Sequence, residues 1–317
     1  MYQGRAFKGT CLVIVFVPEK PAHSRKRPAP TLHRTTIHKV SETTAKTDVV
    51  LGIDAGGTWM RLVTASMDGV IKERVVARCG RAELGAPVAE TLSGLAKRLS
   101  PESRIVAAAG TNARGLASGW REAGIWAPYT MLSEAMMPLD PAGKSGVVLI
   151  AGTGSAAATV VRGAVTLVTG ARGLDHDTGC AHSLAAASRD AVYAARSKKG
   201  PATELADMWP DNDALSMLHG TDLAALALDV DTAAKAGDGV ANELCQATAV
   251  ELVELILPHA APEMDPVILV GSVASPTASV GAILENKMRE HDIPIGHHLP
   301  DLTGQAIKWA LFLAGRF

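Results

Sequence analysis

Two short segments of this chain set glycine beside a hydroxyl at the end of an apolar run. They are Leu51-Gly52-Ile53-Asp54-Ala55-Gly56-Gly57-Thr58 and Leu149-Ile150-Ala151-Gly152-Thr153-Gly154-Ser155. Such turns let backbone N–H groups and a hydroxyl approach a phosphate closely, because no Cβ stands in the way and glycine accepts the dihedrals required. Two of them can hold one nucleotide tail from opposite sides. Either one alone is equally at home as the tight link of a β-hairpin. Asp175-His176-Asp177 offers metal-ligand types, but three adjacent residues rarely face one ion and no further His or Cys completes a set. His297-His298 lacks partners too and reads as a pair of exposed loop histidines.

The elements that must position these residues alternate between strand and helix. Val49 to Ile53 and Met60 to Ala65 read as strands, and Met67-Asp68-Gly69-Val70 as the turn of a hairpin. A dinucleotide fingerprint would need Gly-x-Gly-x-x-Gly opening a helix, and here the chain turns back as a strand. Ala86 to Leu99 and Gly115 to Ala123 have helical spacing, with a buried strand from Arg104 to Ala109 between them. Val147 to Ala151, Ala156 to Arg162 and Val165 to Thr169 predict a three-stranded meander. Ala181 to Ala195 and Ala241 to Leu257 predict helices, the second stopped by Pro258, and Val267 to Val270 predicts a parallel-type strand.

At 317 residues with 47% hydrophobic content, the chain can fill two α/β domains of ordinary size. A net charge of −1 argues against nucleic acid as a partner. The four cysteines, Cys11, Cys79, Cys180 and Cys245, form no C-x-x-C and no disulfide framework, which fits a reducing cytoplasm. Residues 1–47 differ in kind, with nine Lys/Arg against two acidic residues and four prolines. Thr10 to Val17 is apolar but too short to span a bilayer, and no clear cleavage site follows it. A disordered basic extension, or a start placed too far upstream, is the expectation.

Asp54-Ala55-Gly56-Gly57-Thr58 resembles the first phosphate loop of the sugar kinase, actin and heat-shock chaperone ATPase superfamily, and Gly152-Thr153-Gly154-Ser155 resembles its second. Within it, the run from about Val49 to Leu313 is similar to the BadF/BadG/BcrA/BcrD group, which includes the N-acetylglucosamine kinases. Ala107-Ala108-Ala109-Gly110, Gly271-Ser272-Val273-Ala274 and Gly304-Gln305-Ala306-Ile307 complete five segments in the family's order. The resemblance implies an α/β fold of two ribonuclease H-like (actin-like ATPase) domains with a nucleotide cleft between them. The expected domains are 48–145 with the C-terminal helix 303–317, and 146–302.

It also implies ATP and Mg²⁺ as cofactors and phosphoryl transfer to an amino sugar such as N-acetylglucosamine. Asp54 would bind Mg²⁺ through water, since that ion gives up its hydration reluctantly. Gly56, Gly57 and Thr58 would contact the β- and γ-phosphates, Gly152, Thr153, Gly154 and Ser155 would form the companion cradle, and Gly271 and Ser272 would pass adenosine. The kinases' Asn-Asp-Ala triplet, source of the catalytic base, reads Ser133-Glu134-Ala135 here. Glu134 is therefore the candidate base, its carboxylate displaced by roughly an ångström by the extra methylene, and a shift of that size can cost about a hundredfold.

Where the kinases carry Gly-Asp-Glu-Gly-Ser-Gly, an ungapped alignment puts His176 and Asp177 at the sugar-binding acid positions and a shifted one puts Asp175 on the Asp, and Ala156 stands where Asn is usual. Thr111 and Asn112 follow a strand at the acceptor pocket's turn. Trp120, Trp126 and Trp309 are expected to pack helices. The expected partner is a small sugar, with neither nucleic acid nor membrane, and the resemblance alone implies a homodimer, as is usual among the relatives. An ATPase or a nucleotide or sugar sensor without efficient transfer is the alternative. Related ATPases that share an iron–sulfur cluster between protomers need cysteines near the cleft, and Cys180 alone is near.

Overall fold

The computed structural model describes residues 14–16, 49–56, 58–78, 106–110, 129–143, 145–261 and 263–315. The helices expected at 86–99 and 115–123 lie outside them, as do Gly57, Thr111, Asn112, Trp120 and Trp126. The strands are β1 (Ile14–Phe16), β2 (Val49–Ala55), β3 (Trp59–Ser66), β4 (Ile71–Arg78), β5 (Val106–Gly110), β6 (Tyr129–Leu132), β7 (Gly146–Ala151), β8 (Ser155–Val161), β9 (Ala164–Gly170), β10 (Val267–Val270) and β11 (Ile295–Leu299). The described helices are α1 (Ala181–Arg196), α2 (Leu205–Met208), α3 (Asn212–Ser216), α4 (Gly220–Ala225), α5 (Ala227–Ala236), α6 (Gly239–Ile256), α7 (Ser279–Glu290) and α8 (Thr303–Leu313), with a 3-10 turn at Leu257–His259. None is long and apolar enough to cross a membrane.

The described residues divide into two compact units, one up to Met137 together with the segment from Leu302, the other Pro138–Asp301. The division falls upstream of the expected boundary between 145 and 146 because the turn after β6 packs with the first unit. Met136 and Met137 are buried, and the Met137 carbonyl accepts from Trp309 Nε1 at 3.2 Å.

The first unit is a six-stranded sheet in the order β1-β6-β5-β2-β3-β4. β2, β3 and β4 form an antiparallel meander, while β5 and β6 run parallel to β2. The hairpin turn closes through Gly69 N–H to the Ser66 carbonyl, 2.8 Å, with Gly69 at φ +87°. β2 is buried along its whole length, and α8 packs so closely on it that a Cβ at Gly52 would lie 2.9 Å from the Ala306 Cβ. Of the expected extension 1–47, only β1 is among the described residues, and there the chain is a strand. Ile14-Val15-Phe16, with high β-propensity, pairs antiparallel with the otherwise open edge of β6.

The second unit has the order β11-β10-β7-β8-β9. Its meander is β7-β8-β9, and β10 and β11 run parallel to β7. Each unit thus repeats one plan, a meander followed by two parallel strands added on the side of its first strand. α6 buries Ala241, Cys245, Thr248, Ala249, Leu252, Val253 and Ile256, the three- and four-residue spacing of one helical face. Asp238 caps its start by accepting from Ala241 N at 2.7 Å, and Pro258 falls in the 3-10 turn that ends it.

His297 and His298 are a further correction. They lie in β11 rather than in a loop, because Val267–Val270 offers a parallel edge to pair with.

Candidate functional site

In the first unit the candidate residues gather where β2, β5 and β6 end. Asp54 stands in register with Ala109, and Ala109 with Leu132, so Ser133 and Glu134 leave the sheet at the same edge as Asp54. Two strand spacings put the backbones of Asp54 and the β6 end roughly 10 Å apart. The C-terminal edge of parallel strands is where open α/β sheets bind ligands.

Asp54 is buried. Its Oδ2 accepts from Arg61 Nη1 at 3.3 Å and from Leu302 N at 3.2 Å. Arg61 is its cross-strand partner on β3, and Leu302 is the residue before α8, whose N-terminal field favours a carboxylate. Gly56 N–H closes the β2–β3 turn on the Trp59 carbonyl at 3.0 Å. Thr58 is half-buried. Ser133 is exposed and starts a single turn, its Oγ and carbonyl both accepting from Met136 N–H. Glu134 stands half-buried in that turn.

The turn between β7 and β8 in the second unit is built by its neighbours. The Gly152 and Thr153 carbonyls accept from Ala181 N and His182 N at 2.9 and 3.3 Å, occupying two of the amides that start α1. A Cβ at Gly154 would lie 2.7 Å from Asp177 Oδ2 and push that carboxylate aside, whereas a Cβ at Gly152 would meet nothing within 4 Å. Asp177 is buried and accepts from Arg172 N at 2.7 Å and from Ser155 N at 3.4 Å. Ser155 Oγ donates to the Thr178 carbonyl.

Gly271 lies against this turn. At φ +100°, a Cβ on it would stand 2.5 Å from the Ala151 carbonyl oxygen. His298 Nε2 donates to the Gly271 carbonyl at 2.8 Å, and Ser272 beside it is exposed. The glycine turns at 152–155 and 271–272 therefore adjoin at the ends of β7 and β10.

His176 and Asp177, adjacent in the chain, differ in burial. Asp177 turns inward to hold the β7–β8 turn, while His176 is exposed and lines a cavity of about 130 Å³ with Arg172, Thr178, Glu251 and Glu254. Asp175 approaches His182 Nε2 at 4.0 Å, and no group of His, Cys, Asp or Glu among the described residues is arranged to hold a metal ion. Cys180 is buried at the start of α1, its Sγ accepting from Ser183 N at 3.4 Å. Burial pushes its thiol up, so it serves as a protonated helix cap. Trp309 packs inside the first unit, as expected.

Arg61 and the amide of Leu302 carry no motif in the sequence, and His298 reads there only as an exposed loop histidine. Arg61 was the most legible of them, because a strand turning straight back after Gly56 sets a charged residue opposite Asp54.

No protein-family model matches the chain, and no curated protein sequence does. Solved structures do. A candidate N-acetylglucosamine kinase from Porphyromonas gingivalis superposes with a TM-score of 0.66 at 16% identity, over 83% of this chain and 99% of its own. One from Chromobacterium violaceum gives 0.63 at 17% identity, over 84% and 99%. A ROK family glucokinase from Streptomyces griseus, in complex with glucose and AMPPNP, gives 0.53 at 13% identity, over 83% and 98%. With one strand plan repeated in two units, the chain has the actin-like ATPase fold of these sugar kinase structures.

Proposed function

We propose that the chain is an ATP-dependent sugar kinase acting on N-acetylglucosamine or a related amino sugar in the cytoplasm. One observation carries this reading: each unit sets its glycine–hydroxyl turn at the same point of the repeated plan, between the first two strands of its meander. A fold needs a tight link there but not a hydroxyl in both. Gly152 adds support, since packing leaves room for a Cβ and a phosphate approaching the turn does not. The similar glucokinase structure from Streptomyces griseus holds glucose and AMPPNP, an acceptor and a nucleotide analogue of the kind this reading assigns.

Gly56, Gly57 and Thr58 bind the β- and γ-phosphates, Gly152, Thr153, Gly154 and Ser155 cradle the tail, and Gly271 and Ser272 take the adenosine. The donors at Asp54 fit a hydrated Mg²⁺: a buried carboxylate oxygen suits a hard cation, and Arg61 beside it favours contact through water over direct ligation. When bound, Mg²⁺ neutralises charge on the transferring phosphoryl group. Glu134 accepts the proton of the attacking sugar hydroxyl, and Thr111, Asn112 and Ser133 orient that sugar. His176, exposed on its loop, is a further candidate contact for the sugar.

The alternative, an ATPase or sensor of the same fold without efficient transfer, is favoured by Asp177, whose two oxygens are both engaged by backbone amides. A coupled ADP-release screen separates the two. Mg-ATP is tested with N-acetylglucosamine, glucosamine, N-acetylmuramic acid, N-acetylmannosamine and glucose, with Glu134→Gln alongside. Turnover with one sugar, falling about 10²–10⁴-fold in the variant, is expected for a kinase with Glu134 as base. ATP binding without sugar-dependent turnover would select the alternative.

A further inference from the structure

The first turn of α8 holds a buried polar atom without a partner among the described residues. Gln305 is 8% exposed, and its Oε1 is buried with no hydrogen-bond partner among the described residues. A buried carbonyl left unpaired is destabilising, and such orphans are rare enough in folded proteins to call for an explanation. Packing does not provide one, because an apolar side chain of similar volume would fill the position without that penalty.

The position of Gln305 narrows what completes it. Leu302, three residues earlier, gives its N–H to Asp54 Oδ2, and residues three apart on a helix share a face, about 4.5 Å along the axis. Ala306 lies against Gly52, two residues before Asp54 on the same face of β2. Gln305 therefore belongs to the first turn of α8, the turn that also receives Asp54. An orphan carbonyl can only accept, and so can an ionised Asp54. Two acceptors on one turn favour a ligand that donates in several directions and carries positive charge. Phosphate offers no donors there, whereas every water of a hydrated divalent cation donates outward.

We propose that Gln305 Oε1 accepts from a water in the hydration shell of the Mg²⁺ bound at Asp54, making Gln305 a contact of the metal hydrate. The inference rests on the kinase reading, in which Asp54 binds that ion. It also explains why Gln305 Oε1 has no partner among the described residues: the missing donor arrives with the metal.

The test uses the full chain with Gln305→Met and Gln305→Glu. It reads melting temperature without ligand, and calorimetric affinity for an ATP analogue with and without Mg²⁺. Loss of the orphan carbonyl in Gln305→Met should raise the melting temperature by about 2–4 °C. It should also weaken Mg²⁺-dependent nucleotide affinity about tenfold and leave metal-free affinity unchanged. Gln305→Glu, which keeps an acceptor and adds charge, should bind the Mg²⁺ form at least as tightly as wild type, and it serves as the readout if the Met variant fails to fold.

If Gln305→Met binds the Mg²⁺ form like wild type, or Gln305→Glu binds it more weakly, the assignment is overturned while the kinase reading stands. If wild type binds no nucleotide in either condition, both fall together.

Discussion

Asp177 and His259 differ in what a sequence can say about a single residue. Asp177 was legible as an acidic loop residue beside a candidate site, but its partners, the amides of Arg172 and Ser155, are backbone groups that no motif marks. Its carboxylate does its work by fixing Gly154 and Ser155. His259 carries no motif at all. Its ring is held between threonines of adjacent strands, Nδ1 2.8 Å from Thr159 Oγ1 and Nε2 2.9 Å from Thr169 Oγ1. Thr169 gives its own proton to the Leu255 carbonyl, so it accepts from Nε2–H, and Nδ1 accepts from Thr159. The clasp therefore needs the neutral ring, and burial holds the His259 pKa below its ordinary 6.5. A lowered folded-state pKa makes the stabilisation complete above about pH 6.5 and loses it as pH falls through the lowered value. Urea melts at a series of pH values from 7.5 to 5 should show that decline, and His259→Asn should flatten it.

At the scale of elements, the glycines of the second unit separate packing from binding. Gly271→Ala would put a Cβ 2.5 Å from the Ala151 carbonyl oxygen at a φ of +100°, so it should destabilise the fold by at least about 2 kcal/mol in denaturant titration. Gly152→Ala meets nothing within 4 Å and should leave the melt nearly unchanged while nucleotide affinity drops, because the new methyl occupies the phosphate's approach. Equal melts for the two variants, or unchanged affinity in Gly152→Ala, would contradict this division. The strands themselves were legible, since β2, β7 and β10 are apolar runs and Asp68-Gly69 punctuates β3 and β4 as a hairpin turn should. β1 was not, because Ile14–Phe16 is short and its partner β6 is remote in sequence. For the same reason β11 was hidden. Gly296, His297 and His298 have little strand character of their own, and their pairing with β10 is decided by the open parallel edge.

For the whole molecule, the arrangement that matters is that the last helix belongs to the first unit in sequence. α8 covers β2, placing Ala306 on Gly52, giving the Leu302 amide to Asp54 and tying Trp309 Nε1 to the Met137 carbonyl. Ala306, Ile307, Trp309, Ala310 and Leu311 of this helix are all buried. The second unit, 138–301, has its own core among the described residues, built on α1, α5, α6 and α7 around β7 and β10. Stability should accordingly divide between the units. A chain ending at Asp301 would expose the buried face of β2 and remove one of Asp54's hydrogen-bond donors, so the first unit should lose protection while the second keeps its core. Hydrogen exchange provides the reading: amides of β2 and β3 should exchange far faster in the truncated chain, and those of α6 and β7 at nearly their original rates. Uniform loss of protection across both units would mean that folding is a single cooperative event and that α8 anchors the entire chain, not one half of it.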